Sequence, residues 1–286
     1  MPYRYLLLLL ALLTTPVYSE TNDAQWYTPP PEDLVHLNTR FGEVVIMLSS
    51  AIAPAHKARF TALVNNGYYN DKYFYRVIDG FVAQAGSNME SQDGPDKSSL
   101  GAEFVSPVTR SFLLVEPNAV HAPQTGFING IPAGRDTKAN QQWLLHCPGA
   151  VAFARNNDKD SATTEFYIVL GQAPRHLDKN MSVIGKVLSG MEHLQMLPRG
   201  EREAGGVLAS PGSDSLIVSA TTGDSLAASE QRRFRVQQAS HPDYQKKVSI
   251  SRTLVNPFYH DTSLTPRMID VCYYQTEVEE IAAKHD

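Results

Sequence analysis

The sequence predicts a mainly β domain whose antiparallel strands close into a barrel or pair into a sandwich. Three observations carry this. Between Leu34 and Ala220 lie six to eight short runs rich in β-branched and aromatic residues, separated by Gly, Pro, Asn and Asp turns. Only two segments in that span have a helical pattern. Those two do not alternate with every strand, which disfavours a doubly wound parallel sheet. Apolar content of 42% and charged content of 19% are globular values, and 286 residues allow one domain with an appendage, or two domains. The net charge is -5 with no basic stripe, so nucleic acid is not an expected partner.

The chain opens with one positive side chain, Arg4, then the apolar run Leu6 to Leu13, then Val17-Tyr18-Ser19 before Glu20. That order reads as a secretory signal peptide over residues 1–19. The run is short of the roughly 20 residues a bilayer span needs. A retained anchor is the alternative. Cleavage would leave no stable membrane insertion and place the mature chain in the periplasm or another exported space.

Residues 20–33 hold Pro29-Pro30-Pro31 and read as a proline-rich linker. The runs 34–39 and 43–48 alternate across Arg40-Phe41-Gly42 as a hairpin. Ala53 to Gly67 reads as a helix, with Pro54 in its first turn, Phe60, Leu63 and Val64 on one face, and Gly67 as its stop. Phe74 to Gly86 is a strand, a turn at Asp79-Gly80 and a second strand. In ideal alternation Arg76 shares a face with Phe74 and Ile78. A bend is then needed to bring Arg76, Phe81 and Gln84 to one surface. Such a surface would be an apolar slot with polar walls, fit for a short peptide or a proline ring. The plain alternative is a hairpin with a snorkelling arginine.

Asn88 to Ser99 is a polar loop, and 104–105 and 110–115 are short extended pieces. Asn118 to Gln142 holds Gly126, Gly130 and Gly134 and reads as an extended surface insertion, either a lid or a tolerated loop. Strands follow at 149–154, 164–170 and 183–187, a short helix at 190–197, and a last strand at 216–220. The expected domain therefore spans 34–220. The extension 221–286 reads as irregular or helical. Ser225 to Gln238 is helix-compatible with a basic patch at Arg232, Arg233 and Arg235, and Met268 to Cys272 is a short docking strand.

The chain has two cysteines, Cys147 and Cys272. An even number in an oxidising compartment points to a disulfide tying the extension to the body. Two separate buried thiols are the alternative.

Several chemistries lack their residues. There is no Gly-x-Ser-x-Gly, and His146 beside Cys147 is no catalytic pair, since neighbouring strand residues face apart. The nine histidines form no His-x-x-x-His pair and there is no Cys-x-x-Cys, so no metal is expected. No Gly-x-Gly-x-x-Gly follows a strand, so no nucleotide cofactor is expected, and no cofactor of any kind. What remains is the Phe74–Gly86 stretch with Phe153, Tyr167, His176 and Leu177, which together would line one apolar slot.

The stretch Phe74-Tyr75-Arg76-Val77-Ile78-Asp79-Gly80-Phe81-Val82-Ala83-Gln84-Ala85-Gly86 resembles the signature of the cyclophilin-type peptidyl-prolyl isomerases. Gly149 to Arg155 with Asp160 to Ile168 resembles the family's second block in its bacterial form. His176-Leu177-Asp178 with Val183 to Val187 and Gly190-Met191 resembles the closing block. The resemblance covers about Leu34 to Ala220 and implies a closed eight-stranded antiparallel barrel with two capping helices. It implies that Arg76 is the catalytic arginine. Phe81, Phe153, Tyr167 and Leu177 take the proline-pocket wall, and Gln84, Ala154, Arg155 and Glu165 hold the substrate backbone. Tyr167 stands where phenylalanine is usual, Glu165 where glutamine is, Arg155 where asparagine is and His176 where many members have tryptophan; Met181 falls near the usual pocket histidine. A carboxylate at Glu165 is expected to lie beside Arg76.

The implied activity is isomerisation of X-Pro bonds in exported polypeptides. The alternative is a peptide-binding, chaperone-like module with weak or no isomerase activity. The partners are proline-containing unfolded or folding chains, and the sequence does not set an oligomeric state.

Overall fold

The computed structural model describes residues 25–87 and 98–282. The expected signal segment and most of the 88–99 loop lie outside the described residues. In chain order the elements are β1 (Trp26–Tyr27), β2 (Leu34–Thr39), β3 (Gly42–Leu48), α1 (Pro54–Asn65), β4 (Tyr73–Val77) and β5 (Val82–Gly86). Next come β6 (Phe112–Glu116), β7 (Gln124–Ile128), β8 (Ile131–Asp136), β9 (Gln141–Leu144), β10 (Ala150–Phe153) and β11 (Phe166–Val169). The chain ends with β12 (Val183–Ser189), α2 (Met191–Gln195), β13 (Ile217–Thr222), β14 (Arg233–Gln237), α3 (Pro242–Thr253) and β15 (Val278–Ile281).

Eight strands form one antiparallel sheet in the order β13-β2-β3-β12-β10-β11-β5-β4. Its two edges meet at a bridge between Tyr73 and Leu216, beside a backbone bond from Ile217 N–H to the Lys72 carbonyl at 2.8 Å, which nearly closes the barrel. All eight of these strands were expected. Alternation sends Val35, Leu37, Val44, Ile46, Phe74, Val151, Phe153 and Phe166 to the interior. The helices plug it: α1 contributes Phe60, Leu63 and Val64, and Leu194 of α2 joins the same core. At the start of α1 the Glu103 carboxylate accepts from the Ala55 and His56 N–H groups at 3.1 and 3.0 Å, satisfying donors that have no partner within the helix.

The outer face of the barrel is also covered, which the sequence reading did not anticipate. The segment from Asn118 to Gln142, read as an extended surface insertion, holds β7, β8 and the start of β9, and these join β6, read as a short extended piece, in a four-stranded sheet of order β6-β7-β8-β9. The Asn129-Gly130 turn between β7 and β8 has φ of 50° and 75°, the left-handed pair of a tight two-residue hairpin. Ile128, Ile131, Ala133 and Leu144 pack on Val45, Met47, Val169 and Val183 of the barrel. The opposite face of the small sheet, with Phe127, Trp143 and Leu145, receives Tyr244 and Val248 of α3 together with Ile269, Val271 and Cys272.

The extension is correspondingly more ordered than expected. Within Ser225–Gln238, read as helix-compatible, the alternation of Arg233-Phe234-Arg235-Val236 makes strand β14, which pairs with β1 and β15 and buries Phe234 and Val236. The helix is α3 instead, with His241 accepting from Asp243 N–H at its start. Met268 to Cys272 docks as a loop rather than a strand. Its Ile269 N–H bonds the Glu116 carboxylate at 2.9 Å, and Arg252 reaches the same oxygen at 2.6 Å. Burial opposes ionisation of Glu116, but these donors outweigh it and hold its pKa below the ordinary value. The expected disulfide is present, joining Cys147 and Cys272 across 125 residues of chain with Cα atoms 4.8 Å apart. The proline-rich linker contributes β1, so it too is part of the folded body.

Two buried histidines are expected to make the fold acid-sensitive. His56 lies against Phe153 and 2.7 Å from Glu103, and His146 lies 3.0 Å from Asp178. Burial lowers both pKa values, more than their carboxylate partners raise them. The unfolded chain therefore binds more protons below the ordinary histidine range, and stability falls as pH drops through about 6.5 towards the lowered folded values. Urea midpoints are expected to be lower at about pH 5 than at about pH 7.5, with His56→Gln flattening the slope; equal midpoints at the two pH values would count against this assignment.

Candidate active site

Four paired strands set one row of side chains on the barrel's outer face. Gln84 of β5 lies opposite both Arg76 of β4 and Tyr167 of β11, and Tyr167 lies opposite Ala152 of β10. Directly opposed residues share a face. The ideal alternation that put Arg76 beside Phe74 fails because the register of β4 on β5 shifts between Tyr73 and Arg76. Phe74 and Val77 both turn inward, while Tyr75 and Arg76 both reach Gln84. The bulge supplies the bend that the sequence reading required.

Arg76 is fixed from two directions. Its Nε donates to the Gly205 carbonyl at 2.9 Å, and its Nη1 donates to Gln84 Oε1 at 3.0 Å. Gln84 is held in turn, its Nε2 donating to the Tyr75 hydroxyl at 2.6 Å. The Gly205 anchor was not legible in the sequence. It comes from a tight turn in which Gly205 and Gly206 have φ of 64° and 83°, and a Cβ on Gly206 would sit 2.3 Å from Ile78.

Beside the guanidinium is a cleft of about 280 Å³ lined by Arg76, Phe81, Val82, Gln84, Ala154, Arg155, Tyr167, Leu177 and Met181. Seven of these nine were candidates from the sequence. Val82 is not among those candidates, and Met181, which falls near the family's pocket histidine, keeps this side of the cleft apolar. Arg155 stands at the edge, its Nη2 on the Asn180 carbonyl at 3.0 Å and its Nη1 on the Asn156 carbonyl at 2.7 Å. His176 is at the rim, stacked on Phe81 with ring centroids 6.1 Å apart.

Two expected pocket residues lie elsewhere. Phe153 is one residue past Ala152 on β10, so it faces the barrel interior, paired with Phe166 and packed edge-on against Phe60 and His56. Glu165 is 4% exposed and sits beneath Gly86, with Ser87 Oγ donating to its Oε1 at 3.3 Å. It forms no ion pair with Arg76, whose partners are Gly205 and Gln84. Burial raises the Glu165 pKa, and hydrogen bonds from Tyr75 and Ser87 only partly oppose this.

The floor of the cleft is anchored from behind. The Tyr167 hydroxyl is 2.9 Å from His146 Nε2, His146 Nδ1 is 3.0 Å from Asp178 Oδ1, and Arg175 Nε donates to Asp178 Oδ2 at 2.5 Å. With the carboxylate as acceptor, Nδ1 carries the imidazole proton and Nε2 accepts from the tyrosine. Burial, with Asp178 nearby, pushes the Tyr167 pKa up, so the hydroxyl stays protonated. Its ring faces the cleft and its polar end is satisfied away from it, which is how a tyrosine serves at a phenylalanine position.

A family model described as cyclophilin type peptidyl-prolyl cis-trans isomerase/CLD matches residues 34–221. The chain belongs to this family. Among similar proteins, a probable peptidyl-prolyl cis-trans isomerase of Brucella suis biovar 1 (strain 1330) is 30% identical over 185 residues, 63% of this chain and 79% of the relative. Peptidyl-prolyl cis-trans isomerase A of Dickeya dadantii (strain 3937) is 29% identical over 164 residues, 55% of this chain and 67% of the relative. The crystal structure of cyclophilin AquaCyp293 from Hirschia baltica matches with a TM-score of 0.74 at 27% identity, covering 92% of this chain and 96% of that one. That likeness reaches well beyond the segment the family model matches. The chain is thus a cyclophilin-type peptidyl-prolyl cis-trans isomerase, and its barrel carries further sheets and a C-terminal extension.

In this cyclophilin the placement of Glu165 gives a direct test. Glu165→Gln is expected to leave kcat/KM within about twofold of wild type, because the carboxylate does not restrain Arg76. The same change should raise stability near neutral pH. An acid whose folded pKa is raised destabilises the native state as pH rises through that value, so the gain should vanish in acid. A several-fold rise in activity would show instead that Glu165 restrains the arginine.

Proposed function

We propose that this isomerase acts on X-Pro bonds of exported, folding polypeptides by stabilising the twisted amide with Arg76. The observation that carries the proposal is a guanidinium fixed by Gly205 and Gln84 at the wall of a largely apolar cleft with room for a proline ring. Rotation about X-Pro breaks no covalent bond; its barrier of about 18–20 kcal/mol comes from amide resonance. Twisting returns the lone pair to the prolyl nitrogen. A donor aimed there binds the twisted state better than either planar one, which is the condition for catalysis. In this reading Phe81, Val82, Tyr167, Leu177 and Met181 grip the ring, while Gln84, Ala154 and Arg155 hold the flanking backbone. An open groove lined by Arg155, Asn156, Asn157, Asp158 and Met181 continues from the cleft through two shared residues and would carry the adjoining chain.

Export is supported by the leader-like residues 1–19 and by the Cys147–Cys272 bridge, which suits an oxidising compartment. The test of activity is the relaxation of a cis-enriched proline tetrapeptide with catalytic amounts of the chain. Acceleration over the uncatalysed tens to hundreds of seconds supports the reading. Peptide binding without acceleration would overturn it.

A further inference from the structure

His146 is fully buried and lines no part of the proline cleft. It sits just past β9, where the chain leaves the small sheet to return to the barrel. Its ring nitrogens hold two elements that shape the cleft. Nε2 meets the Tyr167 hydroxyl of β11 at 2.9 Å, and Nδ1 meets Asp178, the residue after Leu177, at 3.0 Å. Tyr167 and Leu177 both line the cleft. The two holds are not equally replaceable. Asp178 also accepts from the His146 backbone N–H at 3.0 Å and from Arg175 Nε at 2.5 Å, so its turn is kept without the imidazole. The Tyr167 hydroxyl has His146 Nε2 as its one hydrogen-bond partner among the described residues. Burial keeps that hydroxyl protonated and the imidazole neutral near pH 7, so the bond runs from the phenol O–H to Nε2.

A buried hydroxyl without an acceptor is costly, and Tyr167 has a way to escape that cost. Its ring borders the cleft, so a released hydroxyl can turn towards water there. The turned ring then takes space that a proline ring needs. We propose that His146 is a positioning residue for substrate binding: by holding the Tyr167 hydroxyl it keeps that ring against the cleft wall and the pocket open to proline. This role rests on the isomerase reading and deepens it. Arg76 and Gln84 have their own holds, from Gly205 and Tyr75, so His146 acts on affinity and not on the rotation barrier. Tyrosine and histidine are thus a matched pair. A phenylalanine ring at the same place would need no acceptor behind it.

The experiment compares kcat and KM for a proline tetrapeptide in wild type, His146→Leu, Tyr167→Phe and the double variant. His146→Leu is expected to raise KM about tenfold, or about 1.4 kcal/mol, within the cost of one orphaned hydroxyl. Its kcat should stay within about twofold of wild type. In the Tyr167→Phe background the same change should move KM by less than about twofold, because no hydroxyl is left to orphan. A fold that is merely loosened would shift KM equally in both backgrounds. Amide spectra unchanged away from the cleft report that each variant is folded. The Kd of the tetrapeptide, read from amide NMR shifts on titration, should follow KM and needs no turnover. A second measurement needs no variant. In wild type with isotope-labelled histidine, Nε2 of His146 should carry no proton, and its signal should shift on saturation with the tetrapeptide. An unmoved His146 signal, equal KM shifts in the two backgrounds, or a loss confined to kcat would overturn the proposal. Wild type that binds the tetrapeptide without accelerating it would overturn the isomerase reading instead, and the Kd comparison would still decide the role of His146.

Discussion

Arg76→Ala should lower kcat/KM for a proline tetrapeptide by about two to three orders of magnitude, the loss typical of removing one preorganised donor. Most of the loss should fall on kcat. The apolar walls from Phe81, Tyr167 and Leu177 remain, so substrate affinity should change far less than the barrier. Arg76→Lys is the sharper variant. A single ammonium cannot bond Gly205 and Gln84 as the guanidinium does and still present a directed donor, so lysine should recover little of the lost rate. Stability should move little, since the side chain is partly exposed. Wild-type rates equal to those of Arg76→Ala would remove the arginine from the mechanism and leave the cleft as a binding site only.

The second large effect concerns the bridge between body and extension. Replacing Cys147 and Cys272 together by alanine frees a loop closed over a separation of 125 residues. The unfolding free energy should then fall by roughly 3–5 kcal/mol, read from urea denaturation with and without the bridge. The folded variant should keep its isomerase activity at low temperature, because docking does not depend on the bridge alone. Arg252 still holds Glu116 and the Val115 carbonyl, and Tyr244 still donates to the Tyr274 carbonyl. An unchanged midpoint would mean that the bridge adds no stability beyond these contacts and would overturn the prediction.

Every barrel strand was legible, because each reads as a short apolar run between turn residues, and the barrel needs little more than that pattern. The second sheet was obscured by its glycines. Gly126 passes over the Leu113 carbonyl, where a Cβ would sit 1.9 Å away, and Gly134 lies under the Trp143 ring. Both look like loop residues and are strand residues chosen for close approach. The Asn129-Gly130 pair between apolar neighbours was the available signal for that hairpin. In β14 the arginines drew attention away from a plain two-residue alternation.

At the site, residue types were readable and directions were not. Phe153 belongs to the same short run as Ala152 and Ala154, and strand parity alone decides which of them meets the cleft. The bulge that turns Arg76 outward has no mark in the letters Tyr73 to Val77. Glu165 was placed in the right neighbourhood, but the partners that draw it under Gly86 come from Ser87 and Tyr75.

The contact between Arg76 and Gly205 also sets an order in time. The arginine is made 129 residues before the carbonyl that holds it. A chain not yet extended past Gly206 holds the residues of its aromatic walls but no partner for the Arg76 Nε. The protein therefore acquires its proposed activity late in its own synthesis. The X-Pro bonds of its earlier segments must reach their isomers without help from the pocket they are building.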